Sequence, residues 1–256
     1  MDHQTITVSH HESITRIVLN RPQVMNALNS TMRAEITAAL GDLPSGTRCV
    51  VLTGNGKAFC SGQDLSDASA GLDVGRILRE EYEPMLRAIT EAPVPVIAAV
   101  NGIAAGAGAN LALAADVVIA AESASFVQAF SRIGLIPDAG GSFVIPRSVG
   151  TARAKGMMLF AEPVSARQAA DWGMIWEAVP DAGFEAQVSA RATALAEGPT
   201  RSYLAIREAL SAASVNDMAA QLEVEARLQA RMAATEDFAE GVAAFLQKRR
   251  PVFRGR

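Results

Sequence analysis

One segment constrains the fold of this chain more than any other. The run from Val94 to Val100 is continuously apolar, which predicts a buried β-strand. It leads into residues 101–111, a corner of glycine and alanine that continues as a helix predicted over Ala107 to Ala114. Small residues let a ligand approach the backbone closely. The first N–H groups of a helix lack intrahelical partners and lie at the positive end of its dipole. This corner is therefore suited to hold a partial negative charge.

A corner of the same kind precedes it and is the first of the two along the chain. Cys49 to Thr53 reads as a short β-branched strand, and it is followed by residues 54–65, which are again small and rich in glycine. Two strand ends with exposed backbone could direct two N–H groups at one oxygen. Such donors stabilise an oxyanion, each by about 3 kcal/mol in the transition state. Spacing alone leaves open whether the two corners meet.

Short strands and helices alternate over the first half, which predicts stacked βα units with largely parallel pairing. Ser30 is the predicted N-cap of the first helix, residues 66–75 a mobile loop, and Pro84 a disturbance in the next helix. After about Thr151 the chain is predicted to be helical, with one strand-like segment at residues 175–179. Helical periodicity is found over residues 184–196, 201–211, 218–235 and 237–249.

Composition excludes several classes of protein. Half of the 256 residues are hydrophobic, enough for a sizeable core, and the net charge of -4 does not indicate nucleic-acid binding. Two cysteines do not suggest a disulfide framework. The N-terminus lacks the features of a signal peptide, and apolar stretches end well before the ~18 residues of a membrane span. We expect a soluble cytoplasmic protein that contacts neither nucleic acid nor membrane.

Several kinds of site are also disfavoured. All three histidines lie within the first eleven residues, which argues against a Ser/His/Asp triad and a histidine-rich metal site. The glycine run after residue 101 is not a dinucleotide fingerprint, because Leu111 occupies the last glycine position. Lys57 follows Gly56 but precedes Ala58, so that turn is no P-loop.

Proton transfer by a carboxylate remains. Asp138 lies between Ile136-Pro137 and Ala139-Gly140-Gly141, so its sequence neighbours are apolar or have little or no side chain. It could cap a helix beginning near Gly140, a common role of aspartate. Alternatively, burial would raise its pKa and make it an effective base and then acid near neutral pH.

Four motifs in order carry a resemblance to a known family. They are Asn20-Arg21-Pro22 with Asn26-Ala27-Leu28, the segment 58–65, Asn101-Gly102 with its glycine/alanine run, and the segment 134–141. Together they resemble the crotonase (enoyl-CoA hydratase/isomerase) superfamily over essentially the whole chain. The segments 134–141 and 171–176 are most similar to its ring-epoxide isomerases of phenylacetyl-CoA degradation.

The resemblance implies a fold and an assembly. The expected fold is a crotonase-like spiral of ββα units over residues 1–195, which holds the coenzyme A and acyl site. A C-terminal helical region over residues 196–256 would build homotrimers, often paired into hexamers. The substrate would be a coenzyme A thioester, with no metal and no other cofactor.

The resemblance also implies residue roles. Gln63 and Ala107 match the two backbone donors to the thioester oxygen, and Asp138 matches the catalytic aspartate of several isomerases. The two glutamates with which hydratases add water fall on Asn110, which would line the site, and Phe130. The remaining implied substrate contacts are Val24, Met25, Ser61, Asp64, Leu65, Phe245 and Lys248.

We therefore predict an acyl-CoA isomerase that acts on 1,2-epoxyphenylacetyl-CoA or shifts a double bond in an unsaturated acyl-CoA. One alternative is a 2-enoyl-CoA hydratase in which Asp138 works with Glu80 or Glu81. Another is a coenzyme-A-binding partner protein without catalysis.

Overall fold

The computed structural model describes residues 3–66 and 73–256. Its larger sheet has six strands in the order β1-β2-β3-β5-β7-β10. The pair β1/β2 is antiparallel, and the other neighbours are parallel. These strands are β1 (Ile6–His11), β2 (Ile14–Leu19), β3 (Cys49–Gly54), β5 (Val96–Val100), β7 (Val117–Ala121) and β10 (Glu177–Val179).

A smaller sheet of short strands follows the larger one. It has the order β4-β6-β8-β9, with β4 (Ala58–Cys60), β6 (Ile103–Ala105), β8 (Ser125–Val127) and β9 (Val164–Ser165). In three successive turns of the chain, a long strand of the first sheet is followed by a short strand of the second, which produces a spiral of ββ units. Three-residue strands carry too little alternation to be recognised from sequence.

Helices lie between and after these strand pairs. They are α1 (Ser30–Gly41), α2 (Val74–Ile77), α3 (Glu83–Thr90), α4 (Ala107–Leu113), α5 (Gly141–Val149), α6 (Thr151–Phe160), α7 (Ala166–Asp171), α8 (Phe184–Ala196), α9 (Thr200–Ala213), α10 (Met218–Ala233) and α11 (Glu236–Gln247). The predicted α/β class is confirmed. The short helix α4 is buried along its whole length, which fixes the glycine/alanine corner against the sheets.

The core lies on both faces of the parallel strands. Every residue of β3 and β5 is buried, as expected for central strands of a parallel sheet. The continuous apolar run recognised in the sequence is thus the centre of the larger sheet. Its first paired residue is Val96 rather than Val94.

Three local predictions need correction. The N-cap of α1 is Asn29, whose side chain accepts from the Met32 N–H, so Ser30 is the first helical residue. Of the loop predicted over residues 66–75, residues 67–72 lie outside the described part of the chain, and 74–75 already belong to α2. The disturbance near Pro84 is a π-helical turn over Leu78–Tyr82, after which proline opens α3.

The C-terminal helices are tied back to the sheets. The Arg207 guanidinium pairs with Asp116 at 2.5 Å, and Arg48 donates to the carbonyl oxygen of Phe253 at 2.8 Å. Buried Asp237 accepts from the backbone N–H groups of residues 254 and 255. Over the described ranges, no helix combines the length and apolarity that crossing a bilayer requires.

Candidate active site

The first corner is fixed by a β-bridge between Leu28 and Gln63. The Leu28 N–H donates to the carbonyl oxygen of Gly62 at 2.7 Å, and the Asp64 N–H donates to that of Leu28 at 3.0 Å. Gly62 has φ +95°, a backbone conformation that side chains rarely adopt. In a parallel bridge of this pattern, the N–H of Gln63 faces away from Leu28. No acceptor for it is found within residues 3–66 and 73–256.

The second corner begins α4. The Gly106 N–H donates to the carbonyl oxygen of Val127 at 2.8 Å, and Ala107 is the first helical residue. Its N–H is one of the orphan donors of a helix start, and it has no acceptor within the described parts of the chain. A Cβ atom built on Gly62 would lie 3.4 Å from the Ala107 nitrogen. The two predicted corners therefore meet.

A cavity of about 280 Å³ opens at this meeting point. It contains the three residues predicted to be catalytic, Gln63, Ala107 and Asp138. Its wall is mainly apolar, with Leu65, Val74, Ile77, Leu78, Tyr82, Ala129, Phe130, Ile133 and Leu135. An apolar wall with a few convergent polar groups is typical of a small-molecule site.

Among the described residues, Asp138 is the carboxylic acid that lines this cavity. Its Oδ1 atom is buried and has no hydrogen-bond partner among the described residues. Burial raises its pKa from an ordinary 3.8 to about 6, against a smaller lowering by its own backbone N–H. The N-cap of α5 is Gly140, with no side-chain cap, so the capping interpretation of Asp138 is wrong.

The two residues that the resemblance places at the hydratase glutamates, Phe130 and Asn110, differ in their relation to the cavity. Phe130 is part of the wall. Asn110 is buried behind it, where its Nδ2 donates to the carbonyl oxygen of Asp138 at 2.8 Å and its Oδ1 accepts from Gln128 at 3.0 Å. Asn110 therefore holds the main chain of Asp138 and is not among the residues that line the cavity.

The predicted coenzyme-side residues gather at the first corner. Val24 and Met25 are 37% and 52% exposed. Ser61 joins them to the cavity rim, because its N–H donates to the carbonyl oxygen of Met25 and its hydroxyl to that of Val24. Asp64 accepts from the Ser66 hydroxyl and pairs with Arg21 at 2.8 Å, and these two contacts, the first more than the second, lower the pKa of its carboxyl group.

Six predicted substrate contacts do not line the cavity, namely Val24, Met25, Asp64, Asn110, Phe245 and Lys248, and the last two lie in another part of the molecule. Phe245 and Lys248 are exposed at the end of α11. Phe245 lines a separate groove among α9, α10 and α11, which shares no lining residue with the cavity of Asp138. Within one subunit these side chains therefore contribute nothing to the cavity wall.

Two residues that the sequence analysis missed contact Gln63. The Oε1 atom of Gln63 accepts from Arg33 at 2.9 Å and from the Tyr82 hydroxyl at 2.5 Å. The signal for Arg33 was present, because it precedes Ile36 and Leu40 at helical spacing and so falls on the apolar face of α1. The sequence held no such signal for Tyr82, because its contact with Gln63 depends on the π-helical turn at Leu78–Tyr82.

The described residues give little support to a thiol nucleophile or to a metal site. Burial raises the pKa of both thiols, Cys49 and Cys60, to about 12, so neither is an activated nucleophile. Within residues 3–66 and 73–256 there is no group of three or more metal-ligating side chains.

Comparisons with known proteins agree with the geometry. The sequence model of the enoyl-CoA hydratase/isomerase family matches residues 9–256. A probable enoyl-CoA hydratase of Rhodobacter capsulatus is 58% identical, with all of both chains covered. The 1,2-epoxyphenylacetyl-CoA isomerase of Escherichia coli is 43% identical over 97% of this chain and 98% of its own. The crystal structure of an enoyl-CoA hydratase from Bacillus anthracis has a TM-score of 0.91 and 33% identity, covering 99% and 100% of the two chains.

Proposed function

This chain belongs to the enoyl-CoA hydratase/isomerase family, and from that premise we propose that it is an acyl-CoA isomerase with Asp138 as its acid and base. One observation carries the proposal. A single cavity is lined by Gln63 and Ala107, whose backbone N–H groups have no acceptor among the described residues, and by Asp138, a carboxylic acid of raised pKa. The positions of the two hydratase glutamates hold Asn110 and Phe130, neither of which can transfer a proton.

The geometry divides the reaction between backbone and side chain. The thioester oxygen accepts hydrogen bonds from the N–H groups of Gln63 and Ala107, which lowers the energy of the enolate. Asp138 removes a proton from the acyl group as a carboxylate and returns it to another atom as the neutral acid. No atom is gained or lost, so the product is an isomer of the substrate.

The substrate we propose is an aromatic or unsaturated acyl-CoA. The apolar wall of the cavity suits such a group, and the isomerase of Escherichia coli at 43% identity acts on 1,2-epoxyphenylacetyl-CoA by its name. Conversion of that ring epoxide to its oxepin is the specific reaction favoured here. A double-bond shift in an unsaturated acyl-CoA uses the same groups.

Hydration is the second candidate, because the relative at 58% identity is named as a hydratase. It would need a second carboxylate beside Asp138. Glu80 pairs with Arg76 on the surface and Glu81 pairs with Arg33, and neither lines the cavity. These contacts favour isomerisation over hydration.

We further propose that the helical region 196–256 mediates assembly, as a trimer or hexamer acting in the cytoplasm. Large apolar side chains of α9 to α11, including Leu210, Leu222 and Phe245, are more than half exposed in the isolated chain. Contiguous exposed apolar side chains usually mark a surface that another protein molecule covers. Phe245 and Lys248 would then reach an acyl-CoA across a subunit boundary.

Solvent exchange tests the chemical proposal. Phenylacetyl-CoA in D₂O should gain deuterium beside the thioester in the presence of the enzyme, and Asp138→Asn should abolish the exchange without weakening binding. Asp171→Asn is the matched control, since Asp171 is exposed and does not line the cavity. Retained exchange in Asp138→Asn contradicts the proposal. Loss of absorbance on mixing with crotonyl-CoA would support the hydratase, and binding of coenzyme A thioesters without any turnover would support the non-catalytic partner.

A further inference from the structure

The side chain of Gln63 enters a buried polar cluster that the reaction above does not use. The cluster consists of Arg33, Gln63, Glu81 and Tyr82. Arg33 is fully buried, and Tyr82 is 3% exposed. Since buried charges must be paired to be tolerated, the arrangement of their partners is informative.

Arg33 is held on several sides at once. Its Nε and Nη2 atoms donate to Glu81 at 3.0 and 2.7 Å, and its Nη1 atom donates to the carbonyl oxygen of Leu28 at 2.8 Å. The guanidinium also lies 4.8 Å from the centre of the Tyr82 ring. The Nη1 atom of Arg33 also donates to Oε1 of Gln63. The rigid guanidinium fork therefore joins three separate segments of the chain.

Two of those segments form the bridge that carries the first donor. Leu28 pairs with Gln63 through the backbone, and Arg33 bonds to both of them. Gln63 is therefore clamped through its side chain as well as through its main chain. Rotation of the peptide between residues 62 and 63 must break the bond from the Leu28 N–H to the Gly62 carbonyl oxygen, and a shift of Gln63 as a whole must break its side-chain bonds.

The third segment is the cavity wall. Glu81 and Tyr82 belong to the π-helical turn, and Leu78 and Tyr82 of that turn line the cavity. The Tyr82 hydroxyl donates its one hydrogen bond to Oε1 of Gln63, and burial raises the pKa of this hydroxyl above its usual range. The phenol is thus suited to fix its neighbour rather than to transfer a proton.

We propose that Arg33 and Tyr82 are positioning residues that hold the Gln63 N–H on the thioester oxygen and couple it to the wall that contacts the acyl group. This inference rests on the proposed function. Because a misplacement of about 1 Å can reduce a rate by roughly a hundredfold, partial release of one donor should lower the rate by about tenfold. Substrate affinity should change little, since the acyl and coenzyme contacts remain.

The experiment compares Tyr82→Phe with Gln63→Met, which removes Oε1 and keeps the backbone donor. Each should lower the rate of solvent exchange of phenylacetyl-CoA about tenfold with KM changed less than about twofold. The double variant should be no slower than Gln63→Met, because the hydroxyl acts through Oε1. Tyr203→Phe is the matched control: Tyr203 is the other tyrosine of the chain, and it lies in α9 away from the cavity.

An infrared measurement separates positioning from loss of structure. Benzoyl-CoA labelled with ¹³C at the carbonyl has no proton beside the thioester, so it reports only the polarisation of the carbonyl group. Its stretching frequency should fall on binding to the wild type and should move back toward the free value in Tyr82→Phe and Gln63→Met. Arg33→Lys, which keeps the charge and loses the fork, should behave in the same way if it folds.

The outcomes are distinguishable. No carbonyl shift and no exchange in the wild type would contradict the proposed function itself. A normal shift and exchange in the wild type, with Tyr82→Phe unchanged in both, would overturn the positioning inference alone. So would effects of the two single variants that multiply to about a hundredfold, or a rise in KM that accounts for the lost rate.

Discussion

Asn110 donates from its side-chain Nδ2 to the main-chain oxygen of Asp138 over 2.8 Å. This bond crosses from the buried helix α4 to the loop before α5. A Cβ atom on Gly141 would lie only 2.4 Å from the same Nδ2 atom, so the first residue of α5 also packs directly on the amide. Asn110, which the resemblance places at the position of a hydratase glutamate, therefore bonds to the main chain of Asp138, and the Oδ1 atom of that carboxyl group has no hydrogen-bond partner among the described residues.

The first prediction concerns the pH dependence of exchange. Asp138 must be ionised to accept a proton, and its pKa is raised to about 6. The rate of solvent exchange should therefore rise about tenfold between pH 5 and 7 and level off above. Initial rates of deuterium incorporation across this range provide the measurement. A flat profile would remove Asp138 as the base.

The second prediction concerns stability. The folded-state pKa of Asp138 lies above the unfolded value, so the folded protein holds this proton more tightly. Its contribution to the free energy of unfolding is greatest below pH 4 and is lost as the pH rises through about 6. A pKa shift of this size corresponds to about 3 kcal/mol. Because the carboxyl group is partly exposed, screening by solvent reduces this to about 1 to 2 kcal/mol.

Asp138→Asn removes the free-energy cost of holding an ionised carboxylate at this partly buried position. The variant should be more stable than the wild type by about 1 to 2 kcal/mol at pH 8, and equally stable at pH 4. Urea unfolding at the two pH values measures the difference, with Asp171→Asn as control. A variant that is destabilised at pH 8 would show that the carboxylate has partners beyond those of the described residues.

The third prediction concerns the contact between α4 and β4. A Cβ atom on Gly108 would lie 2.3 Å from the carbonyl oxygen of Cys60, so Gly108→Ala must push the helix start away from the strand. We expect a loss of about 2 to 3 kcal/mol in the free energy of unfolding and a large loss of exchange activity. Gly156→Ala in α6, where a Cβ atom meets nothing within 4 Å, should be neutral or stabilising by up to ~1 kcal/mol. Equal effects of the two substitutions would contradict the packing argument.

The fourth prediction concerns Asn26, which is fully buried beneath the first corner. Its Nδ2 donates to the carbonyl oxygens of Asn55, Ala58 and Phe59, and its Oδ1 accepts from the Arg21 N–H. Asn26→Ala removes all four bonds, including those to the buried carbonyl oxygens of Ala58 and Phe59, and should cost about 3 kcal/mol of unfolding free energy.

Thermal or urea unfolding measures this loss. The control is Asn55→Ala, whose exposed side chain bonds only to that of Asn20 among the described residues and should contribute less than about 1 kcal/mol. If Asn26→Ala unfolds like the control, the amide does not hold the corner.

Much of the fold was predictable because its signals are local. The apolar run at residues 94–100 and the glycine/alanine corner after it gave the central strand and the buried helix. The helix over residues 184–196 was predicted to the residue, because its periodicity has clear ends. By contrast, the π-helical turn at Leu78–Tyr82 has no local sequence signal, and only the proline after it pointed to a disturbance.

The site was predictable to a lesser extent. Gln63, Ala107 and Asp138 were named from motifs, but their convergence on one cavity depends on pairing between distant strands. The clamp on Gln63 was missed, because it joins residues 30 and 19 positions away and exists only once α1 packs on the π-helical turn. The burial that raises the pKa of Asp138 has the same origin.

The strands β4 and β6, which lead into the two corners, are neighbours in one parallel ladder. This ladder limits how far the two corners can separate when the surrounding helices move, and the contacts of Arg33 and Tyr82 then set the position of Gln63. The proposed thioester site therefore has its frame in this ladder, and its connection to the cavity wall runs through the side chain of Gln63.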